Sequence, residues 1–459
     1  MSNKNRKHSF KRRDFLKTAG VAAATAGLAP RLAFSEDEYS DNILVFVFQR
    51  GGIDGLSFLA PMNGHADRGH YESLRTNGTM IPSGNLQALA GGWGLHPSAS
   101  PLLDLWSDQS LAIVQAVGLL PDPNRSHFEA ERYIELGTPG NRFTTTGWLT
   151  RHLQTATNLP ESMLLPAVIT ESTIRYSLLN EPSAVTMRYP WNFDLDTGGT
   201  NYFEEQQEVA LADIYGIEGS ELDIAGSQAL AAQSIIEAID WNNYVPANGA
   251  AYPTRPDNPE RLTSFGEEMK IIAQLIKEDA GMRVAQTDIG GWDTHNEQGN
   301  LPNTGWFYEN VRDLSASLLA FFTDLDVPSP NGKTWAERVT LICYSEFGRR
   351  AYDNADAGTD HGWGNNMLVI GGGVNGGKLY GAWPGLAPGQ LFKSADVWAQ
   401  TDYRTVFSEV LMKRFHNNKL HLIFPGFTEQ EYQPLGVVSG SLVDPDFNDP
   451  EIIFRHGLE

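Results

Sequence analysis

The chain has 459 residues, 56 of them acidic against 34 basic, for a formal net charge of −22, and it holds a single cysteine. Such a balance argues against nucleic acid and anionic membrane as partners, because both repel an acidic surface. One cysteine excludes an intramolecular disulfide, and the absence of repeats and low-complexity linkers points to one large domain, or one domain with an insertion.

The N-terminus carries Lys4, Arg6, Lys7 and Lys11, then Arg12-Arg13-Asp14-Phe15-Leu16-Lys17, then an Ala/Gly-rich run at 18–29. This pattern predicts a twin-arginine export signal over residues 1–35, with Ala33-Phe34-Ser35 as small residues for cleavage. The run is too short and too rich in Ala and Gly to span a bilayer. The mature chain, 36–459, is therefore expected to be periplasmic or secreted, to meet the Tat translocase during export, and to have no stable membrane insertion afterwards. Removing eight basic residues and one acidic residue takes its net charge from −22 to −29. An anionic substrate would then need a local positive centre, either a bound divalent cation or the arginines near the motifs below, Arg50, Arg125, Arg349 and Arg350.

Apolar runs at 43–48, 111–114, 282–287, 339–344 and 366–370 predict buried strands. Helical periodicity falls between them, around 98–106, 127–135, 264–278, 308–324 and 403–415. Ser126 stands where an N-cap would, and Glu129 three residues later predicts a capping box. The alternation predicts an α/β fold with a mostly parallel sheet and helices on both faces. From about 181 to 259 it lapses into Pro, Asn and Gly turns, an aromatic stretch at 189–193 and two acidic helical segments near 203–214 and 227–240. This reads as an insertion, either a lid or a plain surface excursion. Cys343, inside a strand pattern, reads as a small buried apolar residue.

The chemistry gathers just past the strands. The first is followed by Arg50-Gly-Gly-Ile-Asp54-Gly, where glycines allow close approach and Asp54 is either a hard oxygen ligand or the cap of a turn. Gly290-Gly-Trp-Asp293-Thr-His295 separates an acid and an imidazole by one residue, so an extended segment points both the same way, as two ligands of one metal need. Asp288 is a possible third. Glu346 directly follows its strand and either joins the site or pairs with Arg349. Asp360-His361 lies on a Gly-rich loop, with Asp360 either a ligand or the partner that orients His361. Ser126 is a candidate nucleophile at a helix N-terminus, with His127 beside it as ligand or general base; His96 is similarly ambiguous. Converging acids and histidines at strand ends suggest a metal site. A redox reading has little support, since one strand-buried cysteine and no dinucleotide fingerprint leave no place for a redox cofactor, and the glycines at 371–377 read as a turn.

Together, the twin-arginine start, Arg50-Gly-Gly-Ile-Asp-Gly55, Arg125-Ser-His-Phe128, Gly290-Gly-Trp-Asp-Thr-His295, Ser345-Glu-Phe-Gly-Arg349 and Thr359-Asp-His-Gly362 resemble a widespread bacterial family known only as a domain of unknown function, DUF1501. That family is similar in turn to the alkaline phosphatase and sulfatase superfamily. The resemblance implies an alkaline-phosphatase-like three-layer sandwich and one or two divalent ions (Zn, Ca, Mg or Mn). It implies Asp54, Asp293, His295, Glu346 and His361 around the metal, with Asp360 added by the reading of its loop, Ser126 attacking in line beside His127, and Arg125 or Arg349 neutralising the transferred group. The activity implied is hydrolysis of phosphate or sulfate esters on small molecules, glycans or lipids. Two departures stand out. Where the superfamily has Asp-His after a late strand this chain has Glu346-Phe347, and the spacing of Asp293 and His295 is two residues in place of one helical turn. They keep open a one-metal site, and also a non-catalytic secreted binding or assembly protein on the same fold.

Overall fold

The run Ile43–Gln49 forms strand β1, buried throughout. Its alternate residues enter different cores, Ile43, Val45 and Val47 on one face of the sheet and Leu44, Phe46 and Phe48 on the other, as the two-residue period of a strand dictates. A strand that is apolar on both faces needs cover on both. The computed structural model describes residues 41–447 apart from 122, 158, 160–162, 164, 194–200, 216–220, 302–304 and 441–442, so the export signal lies outside the described residues.

After β1 the main sheet takes β2 (Leu111–Gly118), β3 (Ala167–Ile169), β4 (Ala184–Thr186), β5 (Val284–Ile289), β6 (Val339–Ser345), β7 (Asn365–Gly371), β8 (Lys378–Tyr380) and β9 (Thr401–Asp402). Their order is β8-β2-β7-β6-β1-β5-β3-β4, with β9 beside β2. Strand β7 runs antiparallel to both its neighbours, and the other pairings are parallel. The expected mostly parallel α/β sheet is therefore present. Sequence patterning placed five of these strands; β3, β4, β8 and β9 are short runs of two or three residues with no period to read.

Nine helices matter here: α1 (Gly55–Phe58), α2 (Leu102–Ser107), α3 (His127–Leu136), α4 (Trp148–Thr155), α5 (Asn201–Tyr215), α6 (Glu221–Ala238), α7 (Ser264–Lys277), α8 (Trp306–Leu325) and α9 (Tyr403–Phe415). Helix α7 shows how they form. Thr263 caps it by accepting the Gly266 N–H, and Phe265, Met269, Ile272 and Ile276 repeat at helical spacing along its buried face. Helices α7 and α8 pack with the odd-numbered face of β1, while α3, α4 and α9 cover the other. The stretch at 181–259 opens with β4, which extends the sheet edge instead of leaving it, and its helix α6 inserts Ala232 and Ile236 into the α7–α8 core. Cys343 is buried as expected, and burial pushes its thiol pKa up.

One consequence of the topology positions everything that follows. Strands β1, β5 and β6 lie side by side and parallel, with Gln49 opposite both Ile289 and Ser345, so their carboxyl ends share one edge. Strand β7 starts at that edge because it runs the other way, and β2 ends there, with Val117 opposite Asn365. Four chain segments, 50–54, 290–295, 346–364 and 119–127, therefore emerge together.

Candidate functional site

These segments bring together His127, Asp293, His295 and His361. Asp293 Oδ1, His295 Nε2 and His361 Nε2 form a triangle with edges of 2.9, 3.2 and 3.3 Å. Ligand atoms about 2.0–2.1 Å from a tetrahedral ion stand roughly 3.3 Å apart, so the three groups have the spacing that one small cation requires. His127 Nε2 lies 3.5 Å from Asp293 Oδ2, and His127, Asp293 and His361 all offer ligand atoms within 4.8 Å of one another.

The outer nitrogen of each ring is held by an acceptor. His361 Nδ1 sits 2.8 Å from the Arg125 carbonyl, His127 Nδ1 2.7 Å from Glu346 Oε1 and His295 Nδ1 3.1 Å from Asp360 Oδ1. A carbonyl or carboxylate only accepts, so Nδ1 carries the proton in each neutral ring and Nε2 keeps its lone pair. The lone pairs of His295 and His361 then face each other across 2.9 Å, a repulsive arrangement unless a proton or cation lies between them. Imidazoles oriented through Nδ1 by carboxylates and carbonyls are the usual surroundings of a metal site. The donor set thus fits a divalent ion, and its imidazole content suits Zn better than Ca, Mg or Mn.

Backbone geometry lets the loops approach. Gly51 has φ 120°, and a Cβ there would lie 2.5 Å from Asp293 N; a Cβ on Gly358 would strike the His295 carbonyl. Phe347, buried, packs its ring against His127 and His361, with centroids 4.9 and 4.8 Å away, and forms the floor beneath the imidazoles.

The electrostatics follow from these contacts. Burial opposes ionisation of Asp293, but the hydrogen bond and charge of Arg349, 2.6 Å away, hold its pKa down at about 2. The Glu346 hydrogen bond raises the pKa of His127 against the opposing effect of burial. Burial lowers that of His361, helped by the positive charge of Arg349. Asp360 is lowered despite burial because Asn354 and His295 donate to it.

Several expected members have other positions. Asp54 is buried with Arg75, whose Nη1 and Nη2 stand 2.5 and 2.9 Å from its two oxygens, and it also accepts from Ser57 Oγ and Gln298 Nε2. It caps α1, and both its oxygens are engaged by donors of the chain. Glu346 is wholly buried and accepts the Gly51 N–H, the His127 ring proton and the Ser345 hydroxyl, so it orients His127. It makes no pair with Arg349, which turns to Asp293. Asp360 likewise orients His295, while Arg350 lies 3.4 Å from its other oxygen. Asp288 is taken by Arg50 and Arg175. His96 is buried and caps a short turn through Ser98, with burial lowering its pKa to about 4.

The capping box at Ser126 is not formed. Ser126 is the N-cap of α3 but its side chain makes no cap hydrogen bond; its N–H donates to Asn124 Oδ1, and Glu129 accepts from the Asn124 amide. Ser126 is exposed next to His127. Arg125 pairs with the buried Asp396 while its carbonyl holds His361. Arg349 is buried among backbone carbonyls, closed off from solvent. A second group, His127, Glu131 and Glu346, also lies within 4.8 Å. There Glu131 pairs with Arg50, and burial raises its pKa to about 7. Asn354, which donates to both the His295 carbonyl and Asp360, had no signal in the sequence beyond its place on a loop.

A family model described as "Protein of unknown function (DUF1501)" matches residues 226–421, a span that includes Asp293, His295, Glu346, Arg349 and His361 but neither Asp54 nor His127. A model of the TAT (twin-arginine translocation) pathway signal sequence matches residues 9–29. No curated protein matches the chain. The signal marks the protein for export to the periplasm or for secretion, with the Tat translocase as its partner in transit. Among the described residues no helix is long and apolar enough to cross a membrane.

Proposed function

We propose that the exported protein is a metal-dependent hydrolase of phosphate or sulfate esters carried by a small molecule, glycan or lipid. The observation that supports it is the set of three histidines, each held at Nδ1, whose Nε2 atoms converge beside the Asp293 carboxylate. Asp293, His295 and His361 would hold the ion. When bound, a divalent ion polarises the ester and neutralises the charge that develops on its oxygens.

The residues of the chain do the rest. His127, its Nδ1–H on Glu346, presents Nε2 as the acceptor for the proton of the attacking hydroxyl, which belongs either to water or to Ser126. Glu346 keeps the ring in the right tautomer and stabilises the imidazolium that results, which returns its proton to the leaving alcohol oxygen as the ester P–O or S–O bond breaks. Phe347 excludes water from below. The superfamily resemblance supports the ester class, and the acidic surface makes a local cation all the more needed for an anionic substrate.

The test is metal content by mass spectrometry on protein purified without chelators, with turnover of aryl phosphate and aryl sulfate esters measured in parallel. Stoichiometric metal and ester turnover are expected. No metal sinks the proposal. Metal without turnover favours the rival reading, a binding or assembly protein, for which the observation is Phe347, an apolar ring where the superfamily carries a ligand. Turnover that survives Ser126→Ala assigns the attack to water.

A further inference from the structure

The loops after β1, β5 and β6 are rich in glycine and costly to order, and one buried side chain touches all three. The Arg349 guanidinium is fully buried. Its Nε donates to the Gly52 carbonyl at 2.6 Å and its Nη1 to the Thr359 carbonyl at 2.7 Å. Its Nη2 donates to the carbonyls of Gly51 and Trp292 and, at 2.6 Å, to Asp293 Oδ1. These acceptors belong to the loop after β1, the loop after β5 and the turn that leads into Asp360-His361, while Arg349 itself follows β6. Its backbone also bridges to His361.

In many metal sites the ion is what draws the ligand-bearing loops together, and its loss frees them. Here a cation built into the chain already occupies the point where they meet. We infer that Arg349 is a positioning residue that assembles the metal site before any ion arrives, pinning three loops through their carbonyls and aiming Asp293 at His295 and His361. The inference rests on the proposed hydrolase only for what the assembled site then binds. Lysine cannot replace it, because a point charge with three donors does not span five acceptors spread over three loops. The arrangement also keeps a permanent positive charge next to a ligand carboxylate.

Hydrogen exchange on the full mature protein, with and without Zn²⁺, tests this. The reporters are the amides of Gly51, Thr294 and Thr359, which donate to Glu346, Trp292 and Thr294 respectively. In metal-free wild type they should be as protected as in the Zn²⁺-treated protein, within about twofold. In Arg349→Lys all three should exchange together at least roughly tenfold faster, and Zn²⁺ affinity, read by competition with a chromophoric chelator, should fall by about 10–100-fold. Wild-type loops that exchange freely until Zn²⁺ is added overturn the inference, as does an Arg349→Lys variant with wild-type protection and affinity. If that variant fails to fold, the metal-free wild type still decides. Wild type that binds no Zn²⁺ yet protects all three amides sinks the hydrolase and leaves the assembly role standing.

Discussion

Asp54 and Asp293 begin alike and end differently. Each follows a Gly-Gly pair past the end of a central strand, the two strands are neighbours, and an arginine holds each carboxylate to a pKa of about 2. Yet Asp54 is 1% exposed, with donors on both oxygens, whereas Asp293 has a side chain 49% exposed and faces imidazole nitrogens that accept in their neutral rings. A buried carboxylate with every oxygen satisfied is a structural joint. A carboxylate left half open beside imidazole nitrogens is a candidate cation site. What separates a site from a joint is the state of the neighbours, since the residue, the loop and even the pKa agree.

The widest gap between the two should come from removing the open cluster. Asp293→Ala/His361→Ala should abolish metal binding and ester turnover while the unfolding midpoint of the metal-free protein moves little; loss of the fold would make the cluster structural. Asp54→Ala should do the reverse. It leaves Arg75 buried without its partner and should cost about 3–5 kcal/mol in urea unfolding, with metal bound per folded molecule unchanged.

Glu346→Gln probes the support of the open site. It weakens the acceptor that orients His127, so turnover or metal affinity should fall about 10–100-fold with a small change in stability, and an unchanged pH–rate profile would remove His127 from the reaction. The two aspartates should also part in acid. A carboxylate whose folded pKa is depressed contributes stability above its unfolded pKa near 3.8 and loses it as pH falls towards 2. The wild-type protein should therefore lose about 2 kcal/mol across that window through Asp54. Asp54→Asn should flatten the slope, and Asp293→Asn, on a solvent-screened group, should barely change it. The smallest effect belongs to Ser126→Ala. Its hydroxyl makes no cap bond, so thermal unfolding should show a loss below about 0.5 kcal/mol where a working cap would cost about 1.

Much of this was written locally. Strand β1 was legible because it is apolar at every position, which only a doubly covered strand requires. Helix α9 was legible to the residue. The Asp293 and His295 pair was legible because two residues in an extended loop share a side, whatever lies around them. Asp54 was not, because Arg75 reaches it from the end of a helix twenty-one residues on, and nothing near Asp54 announces that neighbour. Ser126 misled for a similar reason, since the side chain of Asn124 took the contacts a capping box would have made.

The sequence by itself determined the export signal, the alternation of buried strands with covering helices, and the loops in which acids and imidazoles stand. Those are matters of period, composition and short spacing, and they survive without knowledge of any distant residue. The tertiary structure decided which of those groups meet. Parallel pairing of β1, β5 and β6 set their ends on one edge, and the direction of β7 returned His361 to it. Arg75 closed one carboxylate, while Arg349 steadied another and left it open. Such choices depend on contacts between residues tens to hundreds of positions apart, and it is those contacts that convert similar loops into a joint in one place and a candidate metal site in another.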